Sequence, residues 1–304
     1  MIVEPSREAL ERAGAIIRRG GLVAFPTETV YGLGANALDA AAVARIYQAK
    51  GRPFASPLIV HVADEAMARS LTAEWPDEAE QLAQRFWPGP LTVVLRKAEV
   101  IPDLVTAGLD SVGIRIPAHQ VALALISAAA VPIAAPSANL FSQISPTTAQ
   151  HVKQGLGAQV ELILDGGATE VGIESTVVSL RRRPPAVLRP GMISRADLER
   201  ATGIEWEREV DRPHVLGGDE SPGLSARHYA PRTPFYVLEA GVKRREGRGR
   251  VIELPRNREE YAHALYAELH KADAESWDWI AVEKPPETDE WAGIWDRLKR
   301  AAAR

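Results

Sequence analysis

Apolar and polar positions repeat with two different periods along this chain, and the switches between them divide it into elements. Residues 7 to 19 follow the helical repeat behind Ser6, which can cap them, and Gly20-Gly21 is a stop. Leu22-Val23-Ala24-Phe25 is a short apolar run that predicts a buried strand. Asp39 is placed to cap a second helix, in which Val43, Ile46, Tyr47 and Lys50 share one face and Gly51 ends the last turn. Pro57 to Val62 predicts a strand. Asp64 and Asp77 predict caps for two more helices, the second stopping at Trp87-Pro88-Gly89-Pro90. Further strands are predicted over 91–95, 111–116, 160–165, 174–180 and 186–189, and further helices over 119–130 and 147–155. The apolar run 131–135 leads into a polar loop, Pro136-Ser137-Ala138-Asn139.

Helices and strands mix with short loops as far as residue 204, which predicts one α/β domain over 1–204. Over 205–234 the periodicity fails and proline, glycine and charge take over. That stretch reads as a linker, and its length suits a lid over an active site. Strand signals return at 235–238, 251–254 and 280–282, with helical segments over 257–273 and 289–302. They predict a small second α/β domain with a parallel sheet over 235–304.

Composition narrows the class. A length of 304 residues suits two domains, and a hydrophobic fraction of 46% supplies sizeable cores. The formal net charge of −4 argues against an extended electrostatic nucleic-acid binder, though not against a local basic groove. The chain has no cysteine, which removes disulfides, thiolate chemistry and cysteine zinc sites and suits a cytoplasmic protein. No apolar h-region follows the charged N-terminus, and no apolar run is long enough to span a membrane.

The candidate chemistry gathers at predicted strand ends. Phe25-Pro26-Thr27-Glu28-Thr29-Val30-Tyr31-Gly32-Leu33-Gly34 ends a strand in two hydroxyls and two glycines, one way to hold a phosphate or a small polar ligand. Lys50 and Arg52 bracket a glycine after a helix, so both cations can reach one polyanion. Arg115 and Arg189 close other strands, and Ser56, Ser111, Ser137, Asn139, Ser145 and Ser175 lie nearby in the pattern. Four cations with many hydroxyls and few acids suit a polyanion such as ATP together with a carboxylate substrate. Taken singly, Arg115 on a strand is more often a salt-bridged face residue and His61 more often a satisfied core histidine. Glu28 and Glu174 read as acids that neutralise nearby cations. P-loop, dinucleotide-loop, zincin and serine-elbow motifs are absent.

Several of these motifs, in order, resemble one family. Pro26-Thr27-Glu28-Thr29-Val30-Tyr31-Gly32-Leu33, Lys50-Gly51-Arg52-Pro53 and Pro57-Leu58-Ile59-Val60-His61 come first. Trp87-Pro88-Gly89-Pro90-Leu91-Thr92, Arg115-Ile116-Pro117, Pro136-Ser137-Ala138-Asn139, Glu174-Ser175-Thr176-Val177 and Leu188-Arg189-Pro190-Gly191 follow. The ordered set is similar to the threonylcarbamoyl-AMP synthases, the YrdC-like proteins. Ser221-Pro222-Gly223 and Arg227-His228-Tyr229-Ala230-Pro231 resemble the linker of their two-domain form.

The resemblance implies a YrdC-like twisted mixed sheet with helices, then a linker and a small Rossmann-like domain. It implies synthesis of threonylcarbamoyl-AMP and pyrophosphate from L-threonine, bicarbonate and ATP, with Mg²⁺ carried by the ATP phosphates. The product would feed N6-threonylcarbamoyladenosine formation on tRNA through a downstream transferase. By matching positions, Thr29, His61, Arg115, Ala135 and Ser175 would surround threonine. Arg52, Ser56, Ser111, Ser137, Asn139, Ser145, Arg189 and Tyr229 would hold ATP, and Lys50 and Arg52 would be the catalytic cations. Two other readings stand beside it. One is an RNA-binding module using Arg181-Arg182-Arg183 and the run Lys243-Arg244-Arg245 through Arg248 and Arg250. The other is a carbamoyl-transfer domain using carbamoyl phosphate, as in hydrogenase maturation proteins.

Overall fold

The computed structural model describes residues 1–208, 221–223, 228–239 and 246–303. The first domain carries strands β1 (Ile2–Val3), β2 (Val23–Phe25), β3 (Gly32–Asn36), β4 (Ile59–His61), β5 (Leu91–Arg96) and β6 (Ser111–Arg115). These are followed by β7 (Ile133–Ala134), β8 (Leu162–Leu164), β9 (Thr176–Ser179), β10 (Ala186–Arg189) and β11 (Glu207–Arg208). Among the described residues they form one mixed sheet in the order β1-β8-β2-β3-β7-β4-β6-β5-β9-β10-β11. The register places His61 opposite both Arg115 and Ile133, so the functional ends of β4, β6 and β7 meet.

Helices α1 (Arg7–Arg18), α2 (Ala40–Lys50), α3 (Glu65–Ser70), α4 (Asp77–Phe86), α5 (Gln120–Ala129) and α6 (Ala149–Leu156) cover the sheet. Ser6, Asp39 and Asp64 cap their helices as expected. Asp77 does not: Pro76 stands at that cap and Asp77 is the first helical residue, where its charge favours the positive end of the helix dipole. His119 lies outside α5 and caps it through Nδ1, which accepts from the Val121 amide at 3.2 Å.

The largest departure from the sequence reading is β3. Gly32 and Gly34, expected in a loop, lie in a strand antiparallel to β2. Neither has positive φ. They are needed for close packing: a Cβ on Gly34 would lie 2.8 Å from Ile133 Cγ2 and from the Phe25 ring. β11 also falls inside the stretch expected to be linker and pairs in parallel with β10. Glu174 and Ser175 precede β9 rather than belonging to it, which frees their backbone for other partners.

After α7 (Arg195–Thr202) and the linker come β12 (Phe235–Leu238), β13 (Gly249–Ile252), α8 (Arg258–Asp273), β14 (Trp279–Glu283) and α9 (Ala292–Ala302). The three strands form a parallel sheet, β12-β14-β13. β13 begins two residues earlier than the sequence suggests because Gly249 slips beneath the Trp279 ring, where a Cβ would clash at 2.0 Å. The helix expected over 289–302 opens as a 3-10 turn, Asp289–Trp291, before α9.

This second domain shares a core with the first. Tyr266, Leu269, Ile294 and Leu298 join Val30, Ile144 and Ile173 in one buried cluster. His151 on α6 and His270 on α8 stack across the boundary at 3.9 Å, and His270 Nε2 lies 3.0 Å from the Ser145 carbonyl. Burial lowers both histidines, His151 to about 4; the neighbouring imidazole adds to this for His151, whereas the Ser145 carbonyl and Asp273 oppose it for His270. A histidine whose folded pKa is depressed contributes full stability above its unfolded value near 6.5, and loses that contribution as pH falls towards the folded value. His151→Phe keeps the stack but removes one titration. Its stability loss between pH 6.5 and 4.5 is expected to be smaller than the parent's by on the order of 1 kcal/mol. Urea titrations at several pH values measure this, and parallel curves for the two proteins would refute the role of the pair.

Candidate active site

Strand ends and three loops enclose a cavity of about 520 Å³ when the open space at its mouth is counted. The turn after β2 forms one wall. Thr27 Oγ1 accepts the Thr29 and Val30 amides at 3.2 Å and donates to the Val30 carbonyl at 2.6 Å, while the Glu28 and Thr29 carbonyls accept from the Val171 and Gly172 amides at 2.7 and 3.1 Å, so the turn is fixed from within and from the 171–172 backbone. Thr29 Oγ1 then accepts from Arg115 Nη2 at 3.0 Å. Arg115 also donates through Nε to the Gly89 carbonyl at 3.1 Å, and Nη2 lies 2.7 Å from Glu28 Oε1. Among the described residues, the Glu28 carboxylate makes no aligned hydrogen bond, so that contact is charge against charge. Among the described residues, Arg115 Nη1 takes no protein partner.

His61 sits beside Arg115, and among the described residues its Nδ1 has no partner. Burial, reinforced by the Arg115 charge, lowers its pKa to about 3, so the ring is neutral. Ala135 and Ser137 continue this wall, and Ala135 offers only backbone and a methyl group.

The opposite wall is cationic. Arg52 is 7% exposed and donates through Nη2 to Ser56 and, at 3.1 Å, to the Pro57 carbonyl, while Nε has no partner among the described residues. Arg189 donates through Nε and Nη2 to the Ser175 carbonyl, through Nη2 to Ser175 Oγ and through Nη1 to the Pro222 carbonyl, all at 3.0–3.1 Å. Burial lowers both guanidinium pKa values, Arg52 to about 10, leaving them cationic at neutral pH. Among the described residues neither is within ion-pair distance of a carboxylate. The linker closes this side with Pro222, Gly223, His228 and Tyr229. Tyr229 holds φ +58°, and Gly223 approaches its hydroxyl so closely that a Cβ would lie 2.1 Å away. Among the described residues, His228, lowered to about 3 by burial, has an unpartnered Nδ1, and the Tyr229 hydroxyl is unpartnered too.

Thr29, Arg52, His61, Arg115, Ala135, Ser137, Ser175, Arg189 and Tyr229 therefore line one cavity. Lys50, Ser56, Ser111, Asn139 and Ser145 do not. Lys50, expected to be catalytic, is buried beneath the 137–139 loop and spends its ammonium on the Ser137 carbonyl at 2.5 Å and on the carbonyl and side chain of Asn139. Asn139 ties the same loop to the Leu140 and Gln143 carbonyls at 2.9 and 2.8 Å. Ser56 holds Arg52, and Ser145 donates to Glu174. Ser111 lies at the far end of β6, on the face of Arg115 but four residues away. The residues missed from sequence are Arg297 and Tyr266 of the second domain, which meet Glu174.

Among the described residues, no group of three or more His, Asp or Glu could hold a metal ion, and no helix is long and apolar enough to cross a membrane. The arginine run is engaged: Arg181 pairs with Glu74 and Asp110, and Arg183 with Glu78. Arg248 lies over the Trp277 ring. Lys243, Arg244, Arg245 and Arg227 fall outside the described residues.

Two family models match the chain. The one described as Telomere recombination (Sua5_yciO_yrdC) covers residues 15–191. The one described as Threonylcarbamoyl-AMP synthase, C-terminal domain, covers 193–303. Among relatives, a threonylcarbamoyl-AMP synthase of Pyrococcus abyssi is 51% identical over 75% of this chain and 67% of its own. One of Bacillus subtilis is 40% identical over 96% and 92%. The crystal structure of P. abyssi Sua5 complexed with L-threonine superposes with a TM-score of 0.92, at 39% identity over 99% of this chain and 97% of that one. The chain belongs to the threonylcarbamoyl-AMP synthase family, in its two-domain form.

Proposed function

We propose that this cavity joins L-threonine, bicarbonate and ATP into threonylcarbamoyl-AMP and pyrophosphate, a nucleotidyl transfer. One observation carries the reading. Among the described residues, Arg52 Nε, His61 Nδ1, His228 Nδ1 and the Tyr229 hydroxyl are buried without partners, and all four residues line the same cavity. Orphaned buried polar groups are costly, so their convergence marks a place that a polar ligand completes.

Arg115 presents its free fork nitrogen to the threonine carboxylate, while Thr29, Ser175 and the neutral His61 receive the amine and the hydroxyl. The amine adds to bicarbonate with loss of water, or to its dehydrated form CO₂ with loss of a proton to solvent, giving a carbamate. The carbamate oxygen then attacks the α-phosphorus of ATP as the α–β phosphoanhydride bond breaks and pyrophosphate leaves. Arg52 and Arg189 lower the energy of the charge that builds on the phosphates, so positioning and electrostatics provide most of the acceleration. Mg²⁺ arrives on the triphosphate as part of the substrate. The linker wall excludes water, which protects a carbamate and a mixed anhydride alike. That anhydride is an activated acyl donor, suited to a transferase acting on tRNA. Mass spectrometry of mixtures lacking one component at a time tests the reaction: an adduct that forms without threonine or without bicarbonate contradicts it.

The threonine pocket yields a specificity prediction. A site built to hydrogen-bond a hydroxyl rejects an isostere that lacks one, because its own polar groups are then left unpaired. Valine is expected to bind at least about tenfold more weakly than threonine, and serine to lose a smaller factor for want of a methyl contact. Calorimetry showing equal affinity for threonine and valine would remove Thr29, His61 and Ser175 from the pocket.

A further inference from the structure

The second domain sends one charged side chain into the first. On α9 the buried stripe Ile294, Leu298 and Ala301 includes Arg297, which is 0% exposed. Its Nε donates to Glu174 Oε2 at 2.8 Å, Nη2 to the Glu174 carbonyl at 3.1 Å, and Nη1 to the Pro190 carbonyl at 2.8 Å. Glycines make this approach possible: a Cβ on Gly293 would lie 2.5 Å from the Gly191 carbonyl oxygen. The guanidinium also lies 5.3 Å from the Tyr229 ring centre. One side chain thus touches the loop before Ser175, the loop after Arg189 and the linker aromatic.

Glu174 explains why a cation is needed there. It lines the cavity, and its carboxylate accepts from Ser145 and Tyr266 as well as from Arg297. Arg189 is held against the Ser175 backbone next door and, among the described residues, lacks a carboxylate partner. Burial pushes the Glu174 carboxyl up, but Arg297 and, less strongly, Arg189 together with the Ser145 hydroxyl outweigh it and hold the carboxyl below its usual range. Asp296 Oδ2 also faces Arg297 Nη1, at 2.8 Å. Buried ion pairs are poor sources of net stability, so the placement of this one at the cavity wall asks for another explanation.

We propose that Arg297 is a positioning residue of the synthase site: by occupying Glu174 it keeps that carboxylate from pairing with Arg189, leaving Arg189 and Arg52 for the phosphates of ATP. The proposal rests on the reading of those two arginines as phosphate ligands. It makes the second domain part of the nucleotide site without touching the nucleotide.

The test uses the full chain and the pyrophosphate-release KM for ATP at saturating threonine and bicarbonate. Arg297→Met is expected to raise that KM at least tenfold while moving the threonine KM less than threefold. Glu174→Gln/Arg297→Met is expected to return the ATP KM to within threefold of Glu174→Gln alone, because no carboxylate is left to capture Arg189. A merely structural Arg297 predicts the reverse, a double variant at least as impaired as Arg297→Met. If Arg297→Met does not fold, the comparison of Glu174→Gln with the double variant decides: equal ATP KM values support the proposal, and a tenfold difference overturns it. Arg189→Met separates the two levels. An unchanged ATP KM there defeats the phosphate reading itself, whereas a raised one with no rescue in the double variant defeats only the role of Arg297.

Discussion

Arg52→Ala is expected to slow threonylcarbamoyl-AMP formation by about 30- to 1,000-fold while leaving the unliganded protein as stable as the parent. The rate figure follows from losing a desolvated charged contact, worth about 2–4 kcal/mol at the transition state, with 1.36 kcal/mol per decade. The stability figure follows from what Arg52 touches. Its partners are the Ser56 hydroxyl and the Pro57 carbonyl, and among the described residues no carboxylate would be stranded by its removal. An unpaired buried cation is an expense in the free protein, so truncation can even raise the melting temperature. ATP, in turn, is expected to stabilise the parent and not the variant, because ligand stabilisation scales with occupancy of the folded state. Thermal scans with and without ATP and pyrophosphate release check both halves. A folded variant with normal release would take Arg52 out of the phosphate site.

The same contrast between paired and unpaired cations explains what sequence could and could not tell. Residue types at strand ends pointed to a polyanion site, and the register of β4, β6 and β7 does bring His61 and Arg115 together, beside Ala135, which only the family resemblance had named. Lys50 and Arg52 looked equivalent in the sequence, two cations flanking a glycine. They diverge because Gly51 takes φ +61° at the end of α2. The helix therefore delivers Lys50 under the 137–139 loop, while the chain beyond the turn delivers Arg52 to the cavity. Spacing alone does not carry that information. Gly32 and Gly34 looked like loop glycines for a similar reason: close packing across a strand leaves the same letter as a turn. The signal for Arg297 was present as a single arginine on the apolar stripe of an amphipathic helix. Its partner, Glu174, lies more than a hundred residues earlier, and periodicity within a segment is blind to contacts of that range.

Arg115 presents the second large effect, and there structure and catalysis have to be separated by design. Arg115→Ala is expected to abolish threonine binding and also to destabilise the fold by about 3–5 kcal/mol, the usual cost of breaking one side of a buried pair. The partner left behind is Glu28, 4% exposed, whose only cation contact among the described residues is Arg115 Nη2 at 2.7 Å. Thr29 Oγ1 and the Gly89 carbonyl lose donors at the same time. Loss of activity in Arg115→Ala is therefore uninformative by itself. Glu28→Gln/Arg115→Met removes both charges and keeps similar volumes, and replacing a buried ion pair by uncharged groups is often neutral or stabilising. The double variant is expected to recover most of the lost stability in urea titrations. Calorimetry is expected to show that it still fails to bind threonine, since nothing in it can fork onto a carboxylate. ATP binding should persist, because Arg52 and Arg189 are untouched. If threonine binds the stable double variant with parental affinity, Arg115 serves only to neutralise Glu28, and the amino-acid carboxylate has to be sought elsewhere along the cavity wall.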